Sequence, residues 1–363
     1  MDFAHLLYKD YAATVEVEKP DNLCQHMVMY ICQELFDKKK HLPASFVKKI
    51  LEEAAPLFLS LSNVIAVNRQ QEYVIQSQFS GRVTVIGDLH GHFRDLAYLL
   101  SPDGPIGFPN HNNQIIVNGD MVDRGDMSVE IILILSLISL MVPGSVHMLK
   151  GNHEAEPHLT TSFGFDDELK LKYPGDLEMK RLFRQLFQAL PIAAVVDDSV
   201  FVVHGGLGRL TKTIADINKV PSRSNLKSML YELVWNGKKS CYCSITQLNQ
   251  GYSLTYYFFN TDPGEDNGMN PHIRGEAFGP DITAAFLALN NLQLVVRYKK
   301  HHNDLCWTVF SAANYCNCTG NKGAVLQFEQ ANSCVPSIVQ FDAVHYPMRR
   351  FNKRSYDCLL NFG

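Results

Sequence analysis

The sequence predicts an α/β fold, and three observations carry that expectation. From Val83 onward, strand-like, loop-like and helix-like segments alternate. Three β-type apolar runs, Val83-Thr84-Val85-Ile86, Ile115-Ile116-Val117 and Val146-His147-Met148-Leu149, each end in a cluster of Asp, Asn, His and Arg. A long apolar stretch, Ile131 to Val142, separates the second run from the third. Alternation of this kind builds a sheet of parallel strands with right-handed crossovers. Sites in such sheets form in the crevice beyond the strands' carboxyl ends.

Residues 1 to about 75 read as helical. Leu23, Met27, Val28, Ile31 and Leu35 recur at spacings of three and four, and Phe46, Val47, Ile50, Leu51, Ala54 and Ala55 repeat the pattern. Pro56 is expected to interrupt the second helix. Ile131 to Val142 is well short of the ~20 residues of a membrane span, so it reads as a buried helix packed on a sheet. Later strand candidates are Val200–Val203, Leu292–Val296, Trp307–Phe310, Ala324–Phe328 and Ser337–Phe341. The last few arrive without intervening helices and are expected to form an antiparallel second sheet. The organisation is therefore a helical segment 1–75, a main domain 76–345 and a tail 346–363.

The chain has 363 residues, 46% of them apolar and 19% charged, the balance of a globular protein. A net charge of −4 gives no reason to expect nucleic acid or an anionic membrane as a partner. The basic stretch Arg349 to Arg354 reads as a solvated terminal segment. Nine scattered cysteines, and an opening Met1-Asp2-Phe3-Ala4-His5 unlike a signal peptide, suit a reducing compartment, cytoplasmic or nuclear. Cys241-Tyr242-Cys243 and Cys316-Asn317-Cys318 lack the two-residue spacing typical of zinc pairs.

The chemistry lies in the clusters Gly87-Asp88-Leu89-His90-Gly91, Gly119-Asp120-Met121-Val122-Asp123-Arg124-Gly125 and Gly151-Asn152-His153-Glu154. Asp88 and His90, two apart on a turn, can face one ion. Asp120 can bridge two ions, Asn152 supplies a neutral oxygen, and His204 before Gly205-Gly206 supplies an imidazole. Mixed nitrogen and oxygen donors suit Mn, Fe or Zn better than Ca. Two ions ~3.5–4 Å apart make hydroxide at neutral pH and hold phosphate oxygens. His153 is placed to be the general acid, Asp123 to fix its tautomer, and Arg124 to offer a planar fork to phosphate. His92, His111 and His147 have no such company and read as surface or core histidines.

With Leu190-Pro191-Ile192, His204-Gly205-Gly206-Leu207, Phe278-Gly279-Pro280-Asp281 and Ser311-Ala312-Ala313-Asn314-Tyr315-Cys316, these clusters resemble the phosphoprotein phosphatase family of serine/threonine phosphatases over Val83 to Phe341. Gln340-Phe341-Asp342-Ala343-Val344, Tyr173, Lys170 and Lys172 look like the type 5 branch, without its tetratricopeptide module. The resemblance implies a metallophosphoesterase-like sandwich of two mixed β-sheets flanked by helices, with a dinuclear site at the strand carboxyl ends. It implies that Asp88, His90 and Asp120 hold one metal. Asp120, Asn152, His204 and a further histidine would hold the second. It implies that His153 with Asp123 is the acid, that Arg124 binds phosphate, and that Tyr315 lines the site. Phosphoprotein substrates and regulatory protein subunits are the implied partners.

Three departures stand out. The family has a histidine where this chain reads Lys299, with His301 and His302 next as replacements. Residues 236–260 are inserted between Trp235 and Thr261-Asp262-Pro263, with little regular pattern. A second phosphate-binding arginine aligns on Ser222, with Arg223 one place off. The first departure motivates an alternative, a catalytically impaired pseudophosphatase that binds or scaffolds phosphoproteins. The first two are abrupt with well-matched flanks, as in real divergence or in exon-boundary errors.

Overall fold

The computed structural model describes Val28 and residues 41–69, 71–74, 77–223, 229–236, 242–248, 251–257, 268–269, 276–297, 305–329 and 334–344, with backbone alone for the strands within 71–80, 242–257 and 268–277. Two five-stranded sheets stack face to face, with helices on both outer surfaces. The first sheet has the order β16 (Ser337–Phe341), β15 (Gly323–Phe328), β4 (Arg82–Ile86), β5 (Asn113–Val117), β6 (Val146–Met148). β4, β5 and β6 run parallel, while β15 is antiparallel to both β4 and β16. The second sheet has the order β1 (Val64–Val67), β7 (Ala193–Val196), β8 (Val200–Val203), β13 (Leu294–Arg297), β14 (Cys306–Thr308). Its pairs are parallel except β7 with β8.

The two-residue period of a strand decides what goes where. On β8, Val200 and Val202 enter the layer between the sheets, whereas Phe201 and Val203 face outward. On β5, Ile116 points inward, and Ile115 and Val117 meet the helices on the other side. Because both faces are covered, these strands are apolar throughout rather than alternating. Each fully buried aliphatic side chain contributes roughly 1.5–3 kcal/mol.

Helix α1 (Ala44–Leu59) sets Val47, Ile50, Leu51, Ala54 and Phe58 on one buried face. Pro56 lies inside it and does not end it. Only the last turn follows Pro56, so the lost amide bond weakens a terminus already short of partners. Helices α2 (Phe93–Leu100), α3 (Ser128–Met141), α6 (Phe165–Lys172) and α7 (Leu177–Ala189) complete the layer on the first sheet. α3 is buried from Ser128 to Ser139, as expected for the apolar stretch. On the second sheet lie α8 (Ile214–Asn218), α9 (Met229–Trp235) and α10 (Pro280–Asn290). Among the described residues no helix is long and apolar enough to cross a membrane.

Three expectations change. The segment before residue 75 is not all helix, because β1 joins the second sheet at Val64. Of the first predicted helix only Val28 is described, and it is buried in the core. The late strands do not form an antiparallel second sheet. β13 pairs with β8 and β14 with β13, both in parallel, and β15 with β16 extends the first sheet. The insert after Trp235 contains a regular hairpin, Tyr242–Leu248 paired antiparallel with Gly251–Tyr257.

Candidate metal centre and active site

Four strands end at one edge of the sandwich. β4 leads into Asp88 and His90, β5 into Asp120, Asp123 and Arg124, β6 into Asn152 and His153, and β8 into His204. Backbone bonds lace the first two clusters together. Leu89 and His90 donate their amides to Asp120 O at 3.0 and 2.9 Å, and Gly125 N donates to His90 O at 2.9 Å. Asn118 joins the sheets: its Nδ2 donates to Val203 O at 3.0 Å, and His204 Nδ1 lies 2.8 Å from the Asn118 carbonyl.

These contacts fix the imidazole tautomers. A carbonyl accepts, so Nδ1 of His204 carries the hydrogen and Nε2 turns to the crevice. His90 does the same, with Nδ1 2.8 Å from Val122 O. His90 Nε2 then lies 3.7 Å from Asp88 Oδ2 and 3.5 Å from Asp120 Oδ2. His204 Nε2 lies 3.4 Å from Asp120 Oδ2 and 2.9 Å from Asn152 Oδ1. All five side chains are buried, from 0% exposure for Asp88 and His204 to 7% for Asn152. Two acids, one amide and two imidazoles thus aim lone pairs into one volume. A buried donor set of this kind fits metal ions that take nitrogen and oxygen. His90, Asp120 and His153 in particular bring ligand atoms within 4.8 Å of one another.

The backbone here is held in an uncommon conformation. His90, Asp120, Asp123 and Arg124 have φ of 40°, 50°, 72° and 71°. Such residues cost roughly 1–3 kcal/mol each and persist only when surroundings over-determine them. Glu154 supplies much of that constraint. Its buried carboxylate accepts the amides of Asp120 (2.9 Å), Met121 (2.8 Å), Val122 (3.3 Å) and Gly151 (2.9 Å). The glycines are sterically required: a Cβ on Gly119 would lie 2.4 Å from Gly151 N, and one on Gly151 2.3 Å from Asp120 Oδ1.

His153 sits beside the donor set but is held differently. Its Nδ1 is 2.6 Å from Asp123 Oδ2, and its Nε2 is 3.9 Å from Asp120 Oδ2. Phe165 N donates to the other Asp123 oxygen at 2.9 Å. Burial works against a charged His153, but the Asp120 and Asp123 carboxylates outweigh it and raise its pKa above the usual value. Arg124 stacks on Phe163, with Cζ 3.8 Å from the ring centroid. Tyr315, in a 3₁₀ turn, packs 5.3 Å from the His90 ring and 6.3 Å from the His92 ring. Burial holds its phenol well above the ordinary value, so it stays an un-ionised hydroxyl.

The structure therefore brings together Asp88, His90, Asp120, Asp123, Arg124, Asn152, His153, His204 and Tyr315. Arg223 is the correction. Its guanidinium donates to Asn63 Oδ1 and to the carbonyls of Phe58, Leu61 and Ala189, which joins α1, β1 and the end of α7. An arginine spent on three carbonyls and an amide is structural. Its own carbonyl accepts from Lys150 Nζ at 2.8 Å, and burial first, then the Arg223 charge, pushes that ammonium down to about 7. Lys299, His301 and His302 lie outside the described residues. The sequence reading missed the roles of Glu154, Asn118 and Phe163. The signal for Glu154 was present: a carboxylate in the short helical turn after a buried strand must find donors.

A helix-flanked two-sheet sandwich with metal-ligand side chains at its strand ends defines a class. The chain belongs to the calcineurin-like phosphoesterase family, which matches residues 81–297. Within that class it is similar to the human "Serine/threonine-protein phosphatase 5", 32% identical over 323 residues, covering 85% of this chain and 56% of the human protein. It is also similar to "Serine/threonine-protein phosphatase T" of Saccharomyces cerevisiae, 29% identical over 351 residues, covering 91% of this chain and 61% of the yeast protein. The chain thus spans little more than half the length of these relatives. A solved protein serine/threonine phosphatase from Saccharomyces cerevisiae, described as similar to human phosphatase PP5, superimposes with TM-score 0.70 at 29% identity, covering 88% of this chain and 97% of that one.

Proposed function

We propose that this chain is a metal-dependent serine/threonine protein phosphatase that hydrolyses phosphoserine and phosphothreonine in proteins. The observation that carries the reading is the 2.6 Å His153–Asp123 pair set against five buried ligands. Asp88, His90, Asp120, Asn152 and His204 would hold two ions, drawn from Mn, Fe and Zn. Bound ions supply hydroxide at neutral pH and neutralise phosphate charge. Arg124 presents its planar fork to the phosphate oxygens. His153 donates its Nε2 proton to the departing alkoxide, and Asp123 holds the ring in place through Nδ1. Phosphoproteins are the substrates, with regulatory subunits as further partners, in a reducing compartment of the cytoplasm or nucleus.

The test uses the purified chain with added Mn on a phosphoserine peptide. Turnover with two ions per chain is expected, and His153→Asn should lower kcat at least ~100-fold with metal content unchanged. Activity that survives His153→Asn removes His153 from its role. One ion or none per chain, with no turnover and retained phosphopeptide binding, makes the chain a phosphoprotein binder instead.

A further inference from the structure

We infer that the turn Phe163-Gly164-Phe165 is the positioning element of this site, with Phe163 as the shelf that aims Arg124 at the phosphate. The inference rests on the phosphatase reading. Phe163 ends helix α5 (Pro157–Phe163). Its ring lies 3.8 Å under the Arg124 guanidinium carbon, and its centroid is 5.5 Å from that of His153. Its carbonyl accepts the Arg124 amide at 3.0 Å. Two residues on, Phe165 N donates to Asp123 Oδ1 at 2.9 Å. One short turn therefore touches the phosphate arginine, the proton donor and the residue that orients that donor.

The geometry suits the task. An arginine side chain is long and flexible, and its N–H groups all lie in the guanidinium plane. Stacking engages the face of that plane, not its N–H edge, which is the edge that binds phosphate. Gly164 permits the arrangement: at φ 121° the chain reverses between the two contacts, where an L side chain is strained. No motif of the sequence names Phe163, because it acts through Arg124 and His153.

Inorganic phosphate is the probe, with binding to the Mn-loaded chain measured by calorimetry beside turnover of a phosphopeptide. Phe163→Leu should weaken phosphate binding and raise KM by about five- to tenfold, the range of a partly desolvated cation–π contact. Phe163→Tyr should stay within twofold of wild type. In an Arg124→Ala background, Phe163→Leu should change neither quantity. Gly164→Ala should lower kcat and raise KM together, because it displaces Asp123 and Arg124 alike. Phosphate affinity unmoved by Phe163→Leu, or an equal loss in the Arg124→Ala background, overturns the inference. If Phe163→Leu does not fold, a tenfold weakening in Phe163→Tyr overturns it alone. Phosphate binding that depends on Phe163 in a chain without turnover sinks the phosphatase reading and leaves the shelf standing.

Discussion

Replacing Glu154 by glutamine is a one-atom test of how the second cluster is held. The carboxylate receives four backbone amides, Oε2 from Asp120 and Gly151, and Oε1 from Met121 and Val122. Glutamine keeps one acceptor oxygen and turns an NH₂ toward the other two donors. Two buried amides then lose their partners, each at roughly 1–3 kcal/mol, so the loss should be about 2–6 kcal/mol. That is a large part of the ~5–15 kcal/mol that keeps a typical domain folded. Urea unfolding of the metal-free chain measures it directly. Metal content should fall as well, since Asp120 is held in a left-handed backbone by these bonds. A loss under about 1 kcal/mol with full metal loading would refute the reasoning.

Two further outcomes are expected away from the metal ligands. Lys172 lies 2.5 Å from Glu130 and 2.7 Å from Glu168 in a buried cluster, and Glu168 also accepts the amides of Ser128 and Val129 at the start of α3. Lys172→Met should cost about 3–5 kcal/mol by leaving two buried acids without their cation. Burial, partly offset by Lys172, pushes Glu130 up to about 7, so the folded state binds more protons than the unfolded one between about 4.5 and 7. This group therefore adds stability as pH falls through that window, and a wild-type chemical-denaturation midpoint insensitive to pH there would contradict it. His147 behaves oppositely. Burial brings its pKa down to about 4, so the unfolded chain binds more protons between about 4 and 6.5 and stability falls as pH falls. Because the side chain is partly exposed, His147→Gln should recover only about 2 kcal/mol at pH 4 relative to pH 7. Equal pH slopes for variant and wild type would count against this.

The candidate ligand clusters were legible because charge directly after an apolar strand has few structural uses. Asp88, Asp120, Asn152 and His204 all follow runs of buried apolar residues, and the structure joins them at one edge. Strand pairing was less legible. Chain order says that β13 and β14 come late, but nothing local in Leu294 or Cys306 says that β13 pairs with β8 and β14 with β13. β1 was missed because Val64–Val67 lay inside the segment read as helical, and β7 because Ala193–Val196 was not among the strand candidates. Arg223 misled for a physical reason. A guanidinium that binds phosphate and one that gathers carbonyls are the same group, and only its surroundings separate them. Phe163 and Asn118 were invisible because their roles are relations between distant segments.

Asn118 gives the architecture a mechanical meaning. Through Val203 and His204 it bolts the tip of one sheet to the tip of the other, directly beneath the ligands. The sandwich resembles a book whose two covers are clasped at the corner where the candidate ligands lie. A shift of one sheet tip against the other moves Asn118 and His204 together, because the two are hydrogen-bonded. The spacing of the candidate ligands is thus set by how the two covers meet there.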